Sequence, residues 1–309
     1  MDPGGRVAVV TGAAGGIGSA LVRALVAAEA KAVVGADVMP PPVPAPSGGP
    51  GGSDTRVVSR QLDVTDEAAT RALVTEIEES FGPVDMWFAN AGVGGGAGPE
   101  TSDAIWERQW QVHVMAHVYA ARALLPSWLA RGEGHLITTA SMAGLLTVVG
   151  DGVYSSTKHA AVGFAEWLDI TYGAQGVRVS CVCPGAVDTA MLRGSASGNA
   201  SKAAAGIGGG EVMAPDEAAS RILAAVAEDR FLILTHPDMH QLVVQKADQP
   251  DRWIRGMQRL WSRTQGIRGT KRGPSIGVRD ATLGDVYLES QYGKITKATR
   301  QKKSEGGAR

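Results

Sequence analysis

The feature that most constrains this chain is an alternation. Short runs of β-branched and other apolar residues recur between longer stretches rich in Ala, Leu and Glu. Runs at 7–10, 32–36, 57–62, 84–89, 135–139, 177–182 and 231–234 predict strands. Stretches at 17–30, 67–81, 103–130, 154–172 and 216–227 predict helices, the long third one bent or broken near Pro126. Thr65 or Asp66 is placed to cap the second helix. Strands that alternate with helices pair in parallel, with helices over both faces. The strand runs are apolar throughout rather than every second residue, as a sheet covered on both faces requires.

The first strand leads into Thr11-Gly12-Ala13-Ala14-Gly15-Gly16-Ile17-Gly18, and a helix follows. Glycines there let backbone amides approach a pyrophosphate, and the helix directs its N-terminus at the phosphates. Asp37 closes the second strand about 20 residues on, where a carboxylate accepts hydrogen bonds from the adenosine ribose and repels a 2′-phosphate. No Lys or Arg lies inside the turn or directly after Asp37, so the expected cofactor is NAD. The fold class is therefore α/β: a single Rossmann-type doubly wound parallel sheet with helices on both faces. Its crevice lies at the carboxyl ends of the strands, where the strand order reverses.

Tyr154 and Lys158 stand at i and i+4 and share a helix face. A phenol is a poor base at neutral pH, and a neighbouring ammonium stabilises the phenolate. The pair can then take a proton from an alcohol while hydride leaves its carbon.

With these motifs in this order, residues 6–235 resemble the short-chain dehydrogenase/reductase family. Thr11, Gly12, Gly16 and Gly18 match its glycine signature, which includes Ile17 here. Asp63-Val64 matches the pair that contacts adenine in that family, and Asn90-Ala91-Gly92 its motif after the fourth strand. Pro184-Gly185, with Val187 and Thr189 beyond, matches the turn beside the nicotinamide. Ser141, 13 residues before Tyr154, matches the serine that holds the substrate oxygen, and Lys158 would also hold the nicotinamide ribose. The chain departs from the family at Val112-His113-Val114, where His113 replaces an Asn that helps hold a relay water. Imidazole could serve there or could simply pack. His113 and His117 also have a metal-compatible i, i+4 spacing, but no third ligand is evident and no metal is expected. The resemblance implies a homodimer or homotetramer built on the long helix and the Tyr-bearing helix.

The implied activity is hydride transfer between NAD and a secondary alcohol or ketone. Val93, Met142, Leu145, Leu146, Val148, Val149, Met191 and Leu192 predict an apolar pocket for an alicyclic, aromatic or steroid-like substrate. Two alternatives stay open: an epimerase or dehydratase on the same scaffold, and a catalytically weak, dinucleotide-sensing binding protein.

The 309 residues fit one catalytic domain over 1–249, with a Pro/Gly/Ser-rich flexible insertion at 39–55 and a Gly/Ala/Ser-rich substrate lid at 190–213. Residues 250–309 carry 14 Lys and Arg against 5 Asp and Glu, and form a basic C-terminal extension. That extension lacks any nucleic-acid motif, so no nucleic-acid partner is expected. No apolar run approaches the ~20 residues that cross a bilayer, and the N-terminus reads as a strand rather than a leader. A soluble cytoplasmic protein without membrane attachment is expected. Cys181 and Cys183 share one face of a strand, a spacing unfavourable for a bridge.

Overall fold

The computed structural model describes residues 1–41, 54–195 and 212–267. Most of the predicted insertion and lid lies outside these residues, as does the chain beyond 267. Seven parallel strands form one sheet: β1 (Val7–Thr11), β2 (Ala32–Asp37), β3 (Arg56–Gln61), β4 (Met86–Ala89), β5 (Gly134–Thr139), β6 (Val177–Cys183) and β7 (Leu232–Leu234). They lie in the order β3-β2-β1-β4-β5-β6-β7, each pair in parallel register. The order reverses beside β1, whose neighbours are β2 and β4. This opens the predicted crevice at the carboxyl ends of these strands.

Strand periodicity sorts the core into two layers. Val7 and Val9 of β1 face one side, with Trp87, Leu136 and Val179, against the helices α2 (Glu67–Phe81), α4 (Ala116–Arg131) and α6 (Gly152–Tyr172). Ala8 and Val10 face the other, with Phe88, Ile137 and Val182, against α1 (Gly16–Ala27) and α8 (Pro215–Ala227). Asp66 caps α2 by accepting a hydrogen bond from the Ala69 N–H at 2.9 Å.

The long third helix does break, but not at Pro126. That residue sits inside a continuous α4. The break is a π-helical turn, Gln111–Met115, between α3 (Asp103–Trp110) and α4. Such a turn carries an extra residue and often marks a functional site; this one carries His113.

Four helices have no counterpart in the sequence reading. They are α5 (Ala143–Leu146), α7 (Ala190–Ser195), α9 (Met239–Asp248) and α10 (Pro250–Thr264). The boundary at 250 falls between α9 and α10, and α10 packs back on the main core through Leu260, with Trp253 and Met257 beside it.

Candidate active site

The glycine turn is a cradle for something other than side chains. Gly12 has φ +68°, and a Cβ there would stand 2.8 Å from the Ala91 Cα. A Cβ on Gly18 would meet the Gly12 carbonyl oxygen at 2.0 Å. Any side chain at either position would displace backbone, so the turn holds α1 close against β1 and leaves its outer surface to a ligand. Across it, Thr189 lies against Gly16, and Ile17 packs with the buried Val187. The structure thus brings the glycine turn together with the segment after Pro184.

Asp37 stands at the end of β2, and its carboxylate accepts hydrogen bonds from Ala14 N–H at 3.0 Å and Met39 N–H at 3.3 Å. These bonds fix a negative charge beside the turn. Asp63 is exposed and accepts from Thr65 N–H and Oγ1 at 2.9 and 2.8 Å, which orders the tight turn ahead of α2 and sets Val64 inward. Asn90 braces the strand ends. Its Nδ2 donates to the Thr11 carbonyl at 3.1 Å, while Thr11 Oγ1 accepts from the Asn90 and Ala91 amides at 3.0 and 3.1 Å. This cross-bracing positions Ala91 and Gly92 over the crevice. A dinucleotide fits the set: a tight amide-lined turn, a helix N-terminus and a fixed carboxylate one strand away.

On the other side of the crevice, Ser141 follows β5, and its Oγ accepts from Ala143 N–H at 3.1 Å. The Met142 amide donates to the Pro184 carbonyl at 3.0 Å, tying this segment to the β6 turn. Asp151 accepts from the Tyr154 amide at 2.9 Å and so starts α6 just before the tyrosine. Lys158 is buried, and its Nζ donates to the Thr139 carbonyl at 2.9 Å, with 5.6 Å to the centre of the Tyr154 ring. Ser141, Tyr154 and Lys158 therefore converge at the end of β5.

Their electrostatics depart from the sequence expectation. Burial pushes the Tyr154 phenol above its ordinary value; the hydrogen bond with Ser141 pulls it down, and Asp151 and Cys183 push it further up. Lys158 does not reverse this, because its ammonium is turned to the Thr139 carbonyl and is itself lowered to about 8, chiefly by burial.

His113 is fully buried and uses both ring nitrogens. The Val93 amide donates to Nε2 at 3.1 Å, which leaves the proton on Nδ1 to donate to Thr157 Oγ1 at 2.9 Å. Its ring meets Tyr154 edge-on, with 5.5 Å between centres. Burial, then Lys158 and His117, hold its pKa well below 6.5, so it stays neutral. In this geometry His113 ties the loop after β4 to α6.

His117 is different. It too is buried, but neither nitrogen has a hydrogen-bond partner. Burial, aided by Lys158, lowers its pKa to about 3; the Ala89 carbonyl pulls the other way without the alignment of a hydrogen bond. The residue borders a cavity of about 10 Å³ whose lining also includes Thr11, Val64, Thr70, Ala91 and Val112. Leaving a buried polar group unpaired costs about 1–3 kcal/mol. Among the described residues no group of three His, Cys, Asp or Glu is disposed to hold a metal ion.

Of the predicted pocket residues, Met142 and Leu146 belong instead to the main core. Val93, Leu145, Val148, Val149 and Leu192 are half-buried, and Met191 reaches over Gly92 and Gly94. The sequence reading overlooked two contacts. Asp151 carried a signal, an Asp three residues ahead of the tyrosine in a capping position. Lys246 of α9, which donates to the Leu145 carbonyl and lies 3.4 Å from His159 Nε2, carried none, because its helix was not predicted.

Residues 6–200 match the family described as short chain dehydrogenase. The chain is 35% identical over 237 residues to 1-deoxy-11-beta-hydroxypentalenate dehydrogenase of Streptomyces exfoliatus, covering 75% of this chain and 84% of that protein. It is 31% identical over 228 residues to cis-4-hydroxycyclohexanecarboxylate dehydrogenase of Sinomonas cyclohexanicum, covering 70% and 87%. A short chain dehydrogenase/reductase from Burkholderia phymatum, solved in complex with NAD, superposes with a TM-score of 0.68 at 26% identity, over 89% of this chain and all of that one. Among the described residues no helix is long and apolar enough to cross a membrane.

Proposed function

Because the chain belongs to the short-chain dehydrogenase family, and is an oxidoreductase of the kind that acts on CH–OH groups, we propose that it uses NAD to interconvert a ring secondary alcohol and its ketone on an apolar, alicyclic substrate. The observation that carries this reading is the convergence of Ser141, Tyr154 and Lys158 at the end of β5, opposite the glycine turn. NAD, when bound, supplies the hydride acceptor. Gly12, Gly16, Ile17 and Gly18 would lie along its pyrophosphate, Asp37 at the adenosine ribose, and Asp63 and Val64 at the base. Asn90, Ala91 and Gly92 border the crevice, while Pro184, Gly185, Val187 and Thr189 would lie beside the nicotinamide. The Ser141 hydroxyl holds the substrate oxygen. The Tyr154 hydroxyl exchanges a proton with that oxygen, and Lys158 would hold the nicotinamide ribose.

Asp37 supports NAD over NADP, since a fixed carboxylate opposes a 2′-phosphate. The alicyclic class is supported by the names of two relatives and by the apolar side chains around Met191. Assembly through α4 and α6 is supported by Trp167 and Ile170, which stand 52% and 77% exposed on α6.

The test is Tyr154→Phe, followed at the NADH absorbance band with alicyclic alcohols. Turnover should fall at least ~100-fold, with NADH affinity within about twofold of wild type. Retained turnover would remove Tyr154 from the chemistry. Substrate conversion without net NADH change would point to epimerisation or dehydration instead.

A further inference from the structure

Cavity, burial and missing partners coincide at His117. Its two nitrogens are the polar atoms of one buried ring, both lack hydrogen-bond partners, and the residue lines a space of about 10 Å³. A space of that size holds a single water, and a water needs two or more polar partners to stay. Inside the protein it would find His117 and the Thr70 hydroxyl, whose own proton goes to the Asp66 carbonyl at 3.0 Å, leaving oxygen lone pairs free. The same space is lined by Val64, which borders the adenine position, and by Ala91 and Val112.

We propose that His117 and this cavity form the floor of the adenine subsite. One water held there accepts or donates a hydrogen bond at His117 and passes a second to the adenine ring. The inference rests on the reading that an adenine dinucleotide occupies the crevice, and it adds a residue that recognises the base rather than the phosphates or the ribose. His117 is suited to this. It remains neutral, so it presents one donor and one acceptor, and it sits on the first turn of α4, where it shares the cavity with Thr11 and Ala89, the last residues of β1 and β4. A packing role would be better served by a hydrocarbon side chain, since the imidazole gains no hydrogen bond within the protein.

The test uses the full chain. Wild type, His117→Leu and His117→Gln are titrated with NADH and with reduced nicotinamide mononucleotide, which lacks the adenosine half, and thermal midpoints are measured without nucleotide. His117→Leu should bind NADH roughly five- to tenfold more weakly, the worth of one water-mediated hydrogen bond. Its affinity for the mononucleotide should not change. Its midpoint should rise by roughly 2–4 °C, because an unpaired buried polar ring has gone. His117→Gln keeps a donor and an acceptor in the cavity and should stay within about twofold for NADH. Unchanged NADH affinity in a folded Leu variant overturns the proposal. So does an equal loss for the mononucleotide, or a lowered midpoint, since either marks a structural role. Wild type that binds no NADH would fail at the cofactor reading itself, a result distinct from any of these.

Discussion

Acid should unfold this protein chiefly through its buried histidines. His117 and His135 are each lowered to about 3, chiefly by burial, and His113 is held well below 6.5 for the same reason. In the unfolded chain these rings titrate near 6.5. Above that pH neither state binds the proton and nothing is lost. Between 6.5 and about 3 the unfolded state binds protons that the folded state refuses, so stability falls as pH falls, and below about 3 the loss levels off. Each fully refused proton is worth about 1.4 kcal/mol per pH unit, hence about 2 kcal/mol by pH 5 for each of His117 and His135. Against a total of about 5–15 kcal/mol, that decides whether the domain stays folded. The carboxylate of Glu133, lowered by its bond with Arg6, contributes only below the ordinary carboxylate range. The Asp151 and Asp169 carboxyls, raised by burial, act with the opposite sign toward the acid end, so a single-histidine variant is needed to isolate the histidine part of the slope. Urea unfolding followed by circular dichroism at half-unit steps from pH 7.5 to 5 measures the slope directly. His135→Gln, which keeps a partner for the Ser180 hydroxyl now 2.9 Å from His135 Nε2, should flatten it by about 1.4 kcal/mol per unit. A flat stability curve in wild type, or an unchanged slope in the variant, refutes the reasoning.

Two further outcomes test the crevice. Asp37→Ala removes the carboxylate fixed by the Ala14 amide and should shrink the preference for NAD over NADP by about tenfold or more, measured as a ratio of kcat/KM values; an unchanged ratio means Asp37 does not read the ribose. Lys246→Met removes the ammonium that donates to the Leu145 carbonyl at the end of α5, the helix that directly follows Ser141. It should raise the KM for substrate about three- to tenfold, leave NADH affinity unchanged and be partly rescued by Lys246→Arg; an unchanged KM means α5 needs no such tether.

What could be read ahead of the structure was what is written locally. Strand runs, the glycine turn with Asp37, and the i, i+4 pair of Tyr154 and Lys158 need only neighbours in sequence, and a doubly wound parallel sheet follows from their alternation with helices; the strand order itself came from the structure. What escaped was set by distant contacts. Pro126 is the one residue in 103–131 with a local reason to break a helix, yet α4 absorbs it. The actual break falls on residues with no such reason. There, His113 is engaged by Val93 and Thr157, 20 and 44 positions away, and the wider π turn carries it between them. The α10 helix repeats Trp253, Met257, Leu260 and Trp261 at helical spacing, but the charge of the segment drew attention to solvent rather than to that stripe. The rise in the Tyr154 pKa likewise comes from burial, a property of the assembled crevice and not of the Tyr-Lys spacing. His113 and His117 make the point most sharply. By spacing they form one pair that a metal could bridge, though none is expected, and for His113 relay and packing both stay open. Tertiary context divides them: one ring has both nitrogens bonded within the protein and serves as a brace, while the other has neither and lines a space shared with Val64 and Ala91. If the unsatisfied His117 ring serves the bound base, the stability of the His117→Leu protein and its affinity for NADH should move in opposite directions.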